Sequence, residues 1–174
     1  VEFDNSIEVW FLKDDPDLVI YQEFIERFQA DQITVIGIFS DDVFSPSTLE
    51  TIDHITRRVE NAPFVHRVRS LTNIQVARSD DHGIGVTTLI PQLPQSEAEA
   101  AIVRERALHS TLVAKHFVSK DTRATGIVVE LSDEGSDFTG KVEFIEALQS
   151  IVTEETIKSG GNITGRIAGP PAID

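Results

Sequence analysis

Cysteine and methionine are both absent from this chain of 174 residues. Without cysteine the chain can form no disulfide and no thiolate zinc site, and it can offer no cysteine nucleophile. The absence of cysteine does not identify a cellular compartment, since many periplasmic proteins also lack it. Because methionine is missing even at the first position, which is Val1, we expect the chain to be a piece of a longer polypeptide.

Long apolar runs and positive charge are also scarce. No run approaches the roughly 18 residues that span a bilayer and no signal peptide is visible, so we expect the chain as given to be soluble. Lysine and arginine total 15 against 29 aspartate and glutamate residues, for a net charge of −14. A surface of that sign repels phosphate backbones, so we expect no nucleic-acid partner. The 40% of apolar residues is enough for one sizeable core.

A strand, a helix and a second strand are predicted in the first half of the chain. Residues 33–39 are almost continuously apolar and branched, which is typical of a strand covered on both faces. The helix that follows begins either at Ser45, with proline in the first helical position, or at a capping box that opens on Ser47. Its expected buried stripe is Leu49, Ile52, Ile55 and Val59. Residues 64–69 then return as a strand.

The same order of elements is predicted near the end of the chain. Residues 125–131 form a branched, apolar strand, and residues 163–168 form a final strand. A long helix lies between them and stops at the glycine pair 160–161. Its expected apolar stripe is Phe138, Val142, Ile145, Leu148 and Val152. The chain therefore contains two β-α-β units whose sequences are not visibly similar.

Other elements are predicted before and between these units. Residues 7–12 suit a short strand, and Asp15 can cap a helix that begins at a proline. The apolar face of that helix is Leu18, Tyr21, Ile25 and Phe28. Between the units, residues 74–78 and 85–90 favour a hairpin, and a further helix is capped at Ser96 with a glutamate three residues later.

The predicted fold class is α+β, with a ferredoxin-like split βαβ sheet whose helices pack on one face. We expect a single domain over residues 1–174, with β-α-β units at about 32–70 and 124–168 and an inserted hairpin and helix at about 73–112. In such a sheet the two apolar strands lie side by side at the centre, as their two-sided apolar character also suggests.

The acidic residues offer no clear metal site. Asp80, Asp81 and His82 are neighbours in a tight turn, where three adjacent residues cannot easily converge on one ion, so we interpret them as a solvated turn. The acids within residues 14–17 suit a helix cap and a complement to the helix dipole. The oxygen-ligand spacing of a calcium loop is missing there.

The remaining histidines do not form a catalytic arrangement. His54 and Glu50 are four residues apart on one helix but lack a companion nucleophile. His109 and His116 flank Lys115 without a metal-binding frame, and surface positions are the better interpretation.

Two glycine-rich segments and three phenylalanines are further candidate features. The glycines at 83–85 and 160–162 do not follow a strand and open a helix, so they predict turns and not a phosphate cradle. Phe44, Phe64 and Phe138 stand at the starts of elements, where core contact is the ordinary role and a lipid-contacting cleft is the alternative. We therefore predict no catalytic, cofactor-binding or metal residue, and we assign no substrate contact.

Several short stretches occur in a definite order along the chain. They are the acidic pair and proline at 14–16, the aromatics Tyr21, Phe24 and Phe28, the strand 33–39, Phe-Ser-Pro-Ser-Thr-Leu at 44–49, Val-Arg-Ser-Leu-Thr-Asn at 68–73, Phe-Val-Ser-Lys-Asp at 117–121 within 112–131, and Ala-Gly-Pro-Pro at 168–171. Their order and spacing resemble the first large extracytoplasmic loop of resistance-nodulation-division transporters. The similarity is greatest to the lipid-exporting branch, which includes the mycobacterial-membrane-protein-large and hopanoid exporters.

The resemblance implies a porter-type domain of a proton-driven exporter in the bacterial inner membrane. The chain would lie on the periplasmic side and help form the path for a hydrophobic or amphipathic, lipid-like substrate. Its implied partners are the membrane helices and a second extracytoplasmic loop of the same transporter, with a homo-oligomer as a further option. Proton-carrying residues of such exporters lie in membrane helices, so this chain alone is not expected to pump.

Two other function classes remain open at this point. A stand-alone ferredoxin-like module that binds a ligand or senses one is the main alternative, because such sheets often bind small molecules or pair edge to edge. An enzyme is the third class, although no acid, base and nucleophile are grouped in the sequence. We expect no enzymatic activity and no cofactor.

Overall fold

A computed structural model of the chain describes residues 32–80 and 83–169. The predicted strand 7–12, the predicted helix from Asp15 and the proline pair 170–171 lie outside these residues. The described elements are β1 (Ile33–Ser40), α1 (Pro46–Glu60), β2 (Val65–Arg69), β3 (Gln75–Asp80), β4 (Gly83–Thr88), α2 (Glu97–His109), α3 (Thr111–His116), β5 (Ala124–Leu131), α4 (Phe138–Lys158) and β6 (Ile163–Ala168), with a 3-10 turn at Asp133–Gly135.

Four strands form one sheet in the order β2-β5-β1-β6, and every pair of neighbours is antiparallel. The two apolar strands β1 and β5 are its central strands, so the prediction that they lie side by side is confirmed. Ile36 stands opposite Ile127, and Gly37 stands opposite Gly126. The fold is therefore of the α+β class, with an antiparallel sheet and several helices.

Each of the two long helices connects two strands that are not neighbours. Helix α1 leads from β1 to β2 and α4 leads from β5 to β6, and each packs on the strand that follows it. The two helices also contact each other, and the guanidinium of Arg58 in α1 donates to the carboxylates of Glu154 and Glu155 in α4. They form one helical layer against the sheet.

Side chains alternate between two faces of this sheet. Gly165 pairs with Ile38, and the space above Gly165 is filled by Val152 of α4, so Ile38 belongs to the face that the helices cover. We call this the helix face, and in β1 and β5 it consists of Thr34, Ile36, Ile38, Thr125, Ile127, Val129 and Leu131. The opposite side is called the open face, and it carries Val35, Gly37, Phe39, Ala124, Gly126, Val128 and Glu130 of the central strands with Arg67, Arg69, Thr164, Arg166 and Ala168 of the edge strands.

The start and the buried stripe of α1 follow from its sequence. Of the two predicted starts, Ser45 is the N-cap, since its hydroxyl accepts from the Thr48 amide at 3.3 Å. The predicted stripe is confirmed, because its four members are fully buried. Asn61 is the C-cap.

The predicted stripe of α4 is wrong in part. Phe138 is 62% exposed, and Val142 and Ile145 are only half-buried. The buried residues of α4 are instead Gly140, Phe144, Leu148, Ile151, Val152 and Glu155. Gly140 lies against the backbone of Gly135 in the preceding 3-10 turn. This close contact fixes the rotation of the helix and turns Phe138 outward.

The residues between the two units form a separate hairpin and two helices. Strands β3 and β4 pair only with each other among the described residues, and the side chain of Arg106 in α2 donates to the carbonyl of Leu89 just beyond β4. Helix α2 begins at the predicted Ser96 cap, whose hydroxyl accepts from the Glu99 amide at 3.3 Å. The hairpin and the helix that the sequence predicted here are confirmed.

Gly165 provides a test of the packing of α4 on β6. A Cβ atom at this position would overlap Cγ1 of Val152. We expect Gly165→Ala to lower the free energy of unfolding by about 1–3 kcal/mol, the usual cost of overpacking a core, as measured by urea denaturation. Gly85→Ala is the matched control in a strand, because nothing lies within 4 Å of a Cβ atom there. Equal losses in the two variants would contradict the close contact.

Candidate functional site

A polar cleft of about 740 Å³ lies where β1 leaves the sheet. Four segments form its walls: the end of β1, the loop into α1, the turn before β5 and the loop before β6. Its lining is Phe39, Ser40, Asp41, Asp42, Ser45, Ser47, Thr48, Asp121, Arg123, Ala124, Gly161, Asn162, Thr164 and Arg166. These residues come from three distant parts of the chain, which the sheet brings together.

Asp42 organises the wall at the start of α1. One of its carboxylate oxygens accepts from the backbone amide of Phe44 at 3.0 Å, and the other pairs with Arg104 of α2. The Arg104 guanidinium also lies 5.7 Å from the centroid of the Phe44 ring, within the range of a cation–π contact. The guanidinium of Arg104 therefore compensates the charge of Asp42. The same ion pair attaches α2 to the rim of the cleft.

The turn before β5 forms the opposite wall and holds a strained residue. Thr122 has a φ of 58°, a conformation that a β-branched residue rarely adopts and that costs of order 1–3 kcal/mol. Its amide donates to the Ser119 carbonyl at 3.0 Å, and its own carbonyl accepts from the Val43 amide at 2.9 Å. These contacts fix the turn against the loop into α1, so this wall is rigid.

Asp121 in the same turn is held in its charged form. The Ser119 hydroxyl donates to Oδ1 of Asp121 at 2.6 Å, and the backbone amide of Arg123 donates to the same oxygen at 3.1 Å. The Ser119 hydrogen bond, followed by the Arg123 amide, holds the pKa of Asp121 below its ordinary value. The cleft therefore presents a stable negative charge beside Arg123.

One cationic group in the cleft is available to a bound molecule. Arg123 pairs with Asp41 at 3.1 Å, but their side chains are 61% and 101% exposed, and an exposed pair of this kind opens readily. A small polar ligand that carries both signs of charge would find a guanidinium and carboxylates here.

The lining of the cleft contains serines and carboxylates, with no histidine, lysine or cysteine beside them. The hydroxyl of Ser45 already donates to Thr48 Oγ1 at 2.8 Å and caps α1. Across residues 32–80 and 83–169, no group of three histidine, aspartate or glutamate side chains is placed to hold a metal ion.

A second charged cluster joins the two long helices. Glu155 of α4 is 3% exposed and accepts from Arg58 at 2.8 Å and from Lys158 at 2.9 Å. The hydrogen bond from Lys158, aided by Arg58, holds the pKa of Glu155 below its ordinary value despite the opposing effect of burial. A more open depression of about 520 Å³ lies beside this cluster. Arg58 lines the depression, but its guanidinium already donates to Glu155 of α4. We interpret the cluster as a tie between helices.

His54 lies near a carboxylate of the other long helix. The imidazole Nδ1 of His54 lies 3.8 Å from the carboxylate of Glu155 in the other helix. His54 and Glu50 are both exposed, as surface residues of a helix would be. The histidine therefore belongs to the edge of the interhelical cluster.

The other candidate residues are not brought together. His109 is exposed and lies at 2.8 Å from the Glu105 carbonyl, whereas His116 is half-buried, so a surface position is confirmed for the first only. Gly160 and Gly161 form a turn with positive φ, as predicted. The prediction of a turn over residues 83–85 is wrong, because Gly83 begins strand β4 and Gly85 lies within it. Asp80 ends β3, and residues 81 and 82 lie outside the described residues.

The three phenylalanines at the starts of elements have different environments. Phe44 is 1% exposed and Phe64 packs against the core, so core contact is confirmed for both. For Phe138 that prediction is wrong, because its ring faces solvent on the first turn of α4. No phenylalanine of the three lines the cleft.

No motif in the sequence marks the cleft. The signals were present as Asp41 and Asp42 directly after a buried strand, and as Ser119 and Asp121 just before another. Once β1 and β5 are paired in antiparallel fashion, the end of one strand must meet the start of the other. That step would have placed the two acidic segments at the same edge of the sheet.

The tie between helices predicts a specific loss of stability in acid. Because folding lowers the pKa of Glu155, its contribution is complete above the pKa of an unfolded glutamate, about 4.3, and is lost as pH falls through the lower folded value. We expect Glu155→Gln to lower the free energy of unfolding at pH 7 by about 1–3 kcal/mol and to flatten this pH dependence, as measured by denaturant melts from pH 7 to pH 3.

Glu154→Gln is the matched control for that experiment. Glu154 also accepts from Arg58, at 2.7 Å, but its side chain is half exposed. Its replacement should have a clearly smaller effect, since solvent screens an exposed pair. An equal loss in both variants would show that burial of Glu155 adds nothing to the tie.

Comparison with known proteins assigns this chain to no family. No protein-family model matches the chain, and a search of curated proteins gave no significant match. Among the described helices, none has both the length and the apolar character needed to cross a bilayer.

Proposed function

We propose that this chain is a periplasmic, porter-type domain of a proton-driven exporter of the resistance-nodulation-division superfamily. In this proposal the domain helps form the path of a hydrophobic or amphipathic, lipid-like molecule. It works with the membrane helices and with a second extracytoplasmic loop of the same transporter. It has no turnover of its own, because the proton-carrying groups of such exporters lie in the membrane.

The strand order supports a ferredoxin-like arrangement for this domain. In each β-α-β unit the two strands leave a gap of one strand, and the central strand of the other unit fills that gap in the order β2-β5-β1-β6. Both crossover helices contact each other in one layer. We propose on this basis that the sheet is the split βαβ type, which is also what the resemblance to porter domains implies.

The distribution of exposed apolar side chains is the observation that best supports an apolar path. Among the described residues, the exposed large apolar side chains are Ile84, Val86, Ile102, Leu108, Leu112, Phe138 and Ile157. Five of these seven lie between residues 84 and 112, in the hairpin and helices inserted between the two units. Exposed apolar groups concentrated in one segment favour contact with an apolar partner or ligand over a purely solvated role.

A rigid connection between the two units supports movement of the domain as one body. Each unit contributes one central strand, and Arg58 links the two helices through its pairs with Glu154 and Glu155. Alternating access requires domains that shift against each other without deforming internally. We therefore place any change of shape at the borders of this domain.

A binding or sensory module is the second candidate function. The observation that favours it is the polar cleft, with its strained wall at Thr122 and the exposed guanidinium of Arg123. Strained residues persist where the surrounding contacts hold them and often mark binding sites. A small zwitterionic molecule that binds the isolated chain with saturation, and loses affinity in Arg123→Ala, would favour this candidate.

The exporter proposal predicts an effect of the inserted hairpin on transport. In the full-length protein, the double variant Ile84→Asp and Val86→Asp should reduce export of the lipid-like substrate by about tenfold or more, because charge is introduced on an apolar path. Ile157→Asp is the matched control, since Ile157 is 72% exposed but lies outside the insertion. Export is measured as substrate that reaches the outer surface, normalised to transporter inserted in the membrane.

The free energy of unfolding of the isolated chain should not change in the double variant Ile84→Asp and Val86→Asp or in Ile157→Asp. Ile84 and Val86 are 89% and 71% exposed, so their replacement removes no core contact. Normal export by the double variant would show that the hairpin does not line the substrate path. Normal export by an inserted transporter that lacks residues 15–170 would overturn the porter proposal as a whole.

A further inference from the structure

Strand β4 differs from the other edge strands of the described residues, which are β2, β3 and β6. An edge strand carries backbone N–H and C=O groups on its outer side, and native proteins protect such edges with charged side chains, proline or a bulge. Strand β2 has two arginines and a bulge, β6 has an arginine, and β3 has an arginine and an aspartate. Strand β4, Gly83–Thr88, has no charged residue, no proline and an unbroken register. It is therefore the unprotected edge.

The alternation of hydrogen bonds in the hairpin shows which backbone groups lie on the outer side of β4. The Leu89 amide donates to the Ile74 carbonyl at 2.8 Å, and this pair continues the register of β3 with β4. Hydrogen-bonded and non-hydrogen-bonded pairs alternate along an antiparallel ladder. The backbone groups of Gly85 therefore point toward β3, whereas those of Ile84 and Val86 point away from it.

The outer edge of β4 is sterically open to a further strand. The side chains of Ile84 and Val86 lie on one face of the strand and are 89% and 71% exposed. Gly85 lies on the other face, and nothing is within 4 Å of a Cβ atom built on it. Glycine within a strand often marks the close approach of another backbone, and a two-stranded hairpin is only marginally stable by itself. An added strand would therefore extend and stabilise the hairpin.

We propose that β4 pairs in antiparallel fashion with β4 of a second copy of this chain, across a two-fold axis at Gly85. In this register Ile84 of each copy stands opposite Val86 of the other. Both residues present their backbone groups outward, so each pair exchanges two hydrogen bonds. The two hairpins thereby join into one ribbon of four strands. This inference does not depend on the proposed role in transport.

The strand is complementary to itself in this register. The branched side chains of Ile84 and Val86 from both copies would lie on one face and meet in pairs, which stabilises antiparallel strands. An axis at Val86 would instead set Ile84 against Thr88. An axis at Ile84 would set Val86 against a position before β4 begins. Among axes centred on a residue of β4, the one at Gly85 therefore pairs both apolar residues.

The lack of charge on β4 favours a second copy as the partner. The chain has a net charge of −14, so the surfaces of two copies repel each other on average. At β4 the two copies can meet without opposing like charges. A contact along one strand of six residues, about 20 Å long, buries less than the roughly 800 Å² per partner of a standard interface. We therefore expect a transient dimer, which a test must trap.

A single introduced cysteine traps the proposed dimer, since the chain has no native cysteine. In Gly85→Cys the two new side chains form a non-hydrogen-bonded pair, in which Cα atoms lie about 4.5 Å apart, within the range of a disulfide. Under mild oxidation of the full chain we expect a disulfide-linked dimer to form at least about tenfold faster than in the control variants. Non-reducing gel electrophoresis over time measures this rate.

Two other cysteine variants are the matched controls. Thr87→Cys lies on the same face of β4, but in the proposed register its two copies are about 14 Å apart, beyond the reach of a disulfide. Ile157→Cys is exposed on α4 and reports random collision. Each rate is normalised to the reaction of the same thiol with a small disulfide reagent, so differences in exposure cancel.

Variants that protect the edge should prevent the dimer. Val86→Lys adds the kind of charge that the other edge strands carry, and in combination with Gly85→Cys it should slow dimer formation at least about tenfold. Val86→Thr keeps the branched shape and the outward amide, so the rate should stay within about threefold. Val86 is 71% exposed, so neither change should unfold the chain, as far-UV circular dichroism would verify.

Each other outcome contradicts the proposal. Equal normalised rates for Gly85→Cys and Thr87→Cys, or a folded Gly85→Cys chain that forms no dimer, would show that two copies do not pair at this edge. Faster joining of Gly85→Cys to Thr87→Cys in a mixture of the two variants would place the axis at Val86. An unchanged rate in Val86→Lys would show that the dimer forms through another surface.

Discussion

The pairing of β1 with β5 is the interaction on which the rest of the structure depends. It joins residues 33–39 to residues 124–130 through an unbroken antiparallel register. Each strand belongs to a different β-α-β unit, so this one ladder interlocks the two units and sets the distance between their helices. The contact of Arg58 with Glu155, the packing of Val152 over Gly165 and the meeting of both acidic loops at the cleft all require it.

Much of this architecture could be predicted from local sequence signals. The branched apolar strands, the Ser45 and Ser96 caps and the stripe of α1 each depend on a few neighbouring residues. The rotation of α4 could not be predicted in this way, because it is set by the contact of Gly140 with Gly135 and by burial of Glu155 against Arg58. An acidic residue in a buried stripe conflicts with hydrophobic periodicity until its partner in another helix is known.

The candidate site was harder to predict than the fold for a related reason. The cleft is assembled from loops near residues 41, 121 and 161, and none of them carries a recognised motif. The chemistry of the cleft also differs from that of the inserted hairpin, where apolar side chains are exposed. The polar groups of the cleft thus lie at the end of the sheet, and most of the exposed apolar side chains lie in the inserted segment.

The long separation of β1 from β5 has a consequence during synthesis of the chain. About 80 residues lie between these strands, and at the usual 5–20 residues per second the ribosome needs roughly 4–16 seconds to supply the second strand after the first. Throughout that interval an apolar, branched strand has no partner for its backbone. Because unpaired strand edges in partly folded chains favour aggregation, the order of these strands makes the growing polypeptide prone to it.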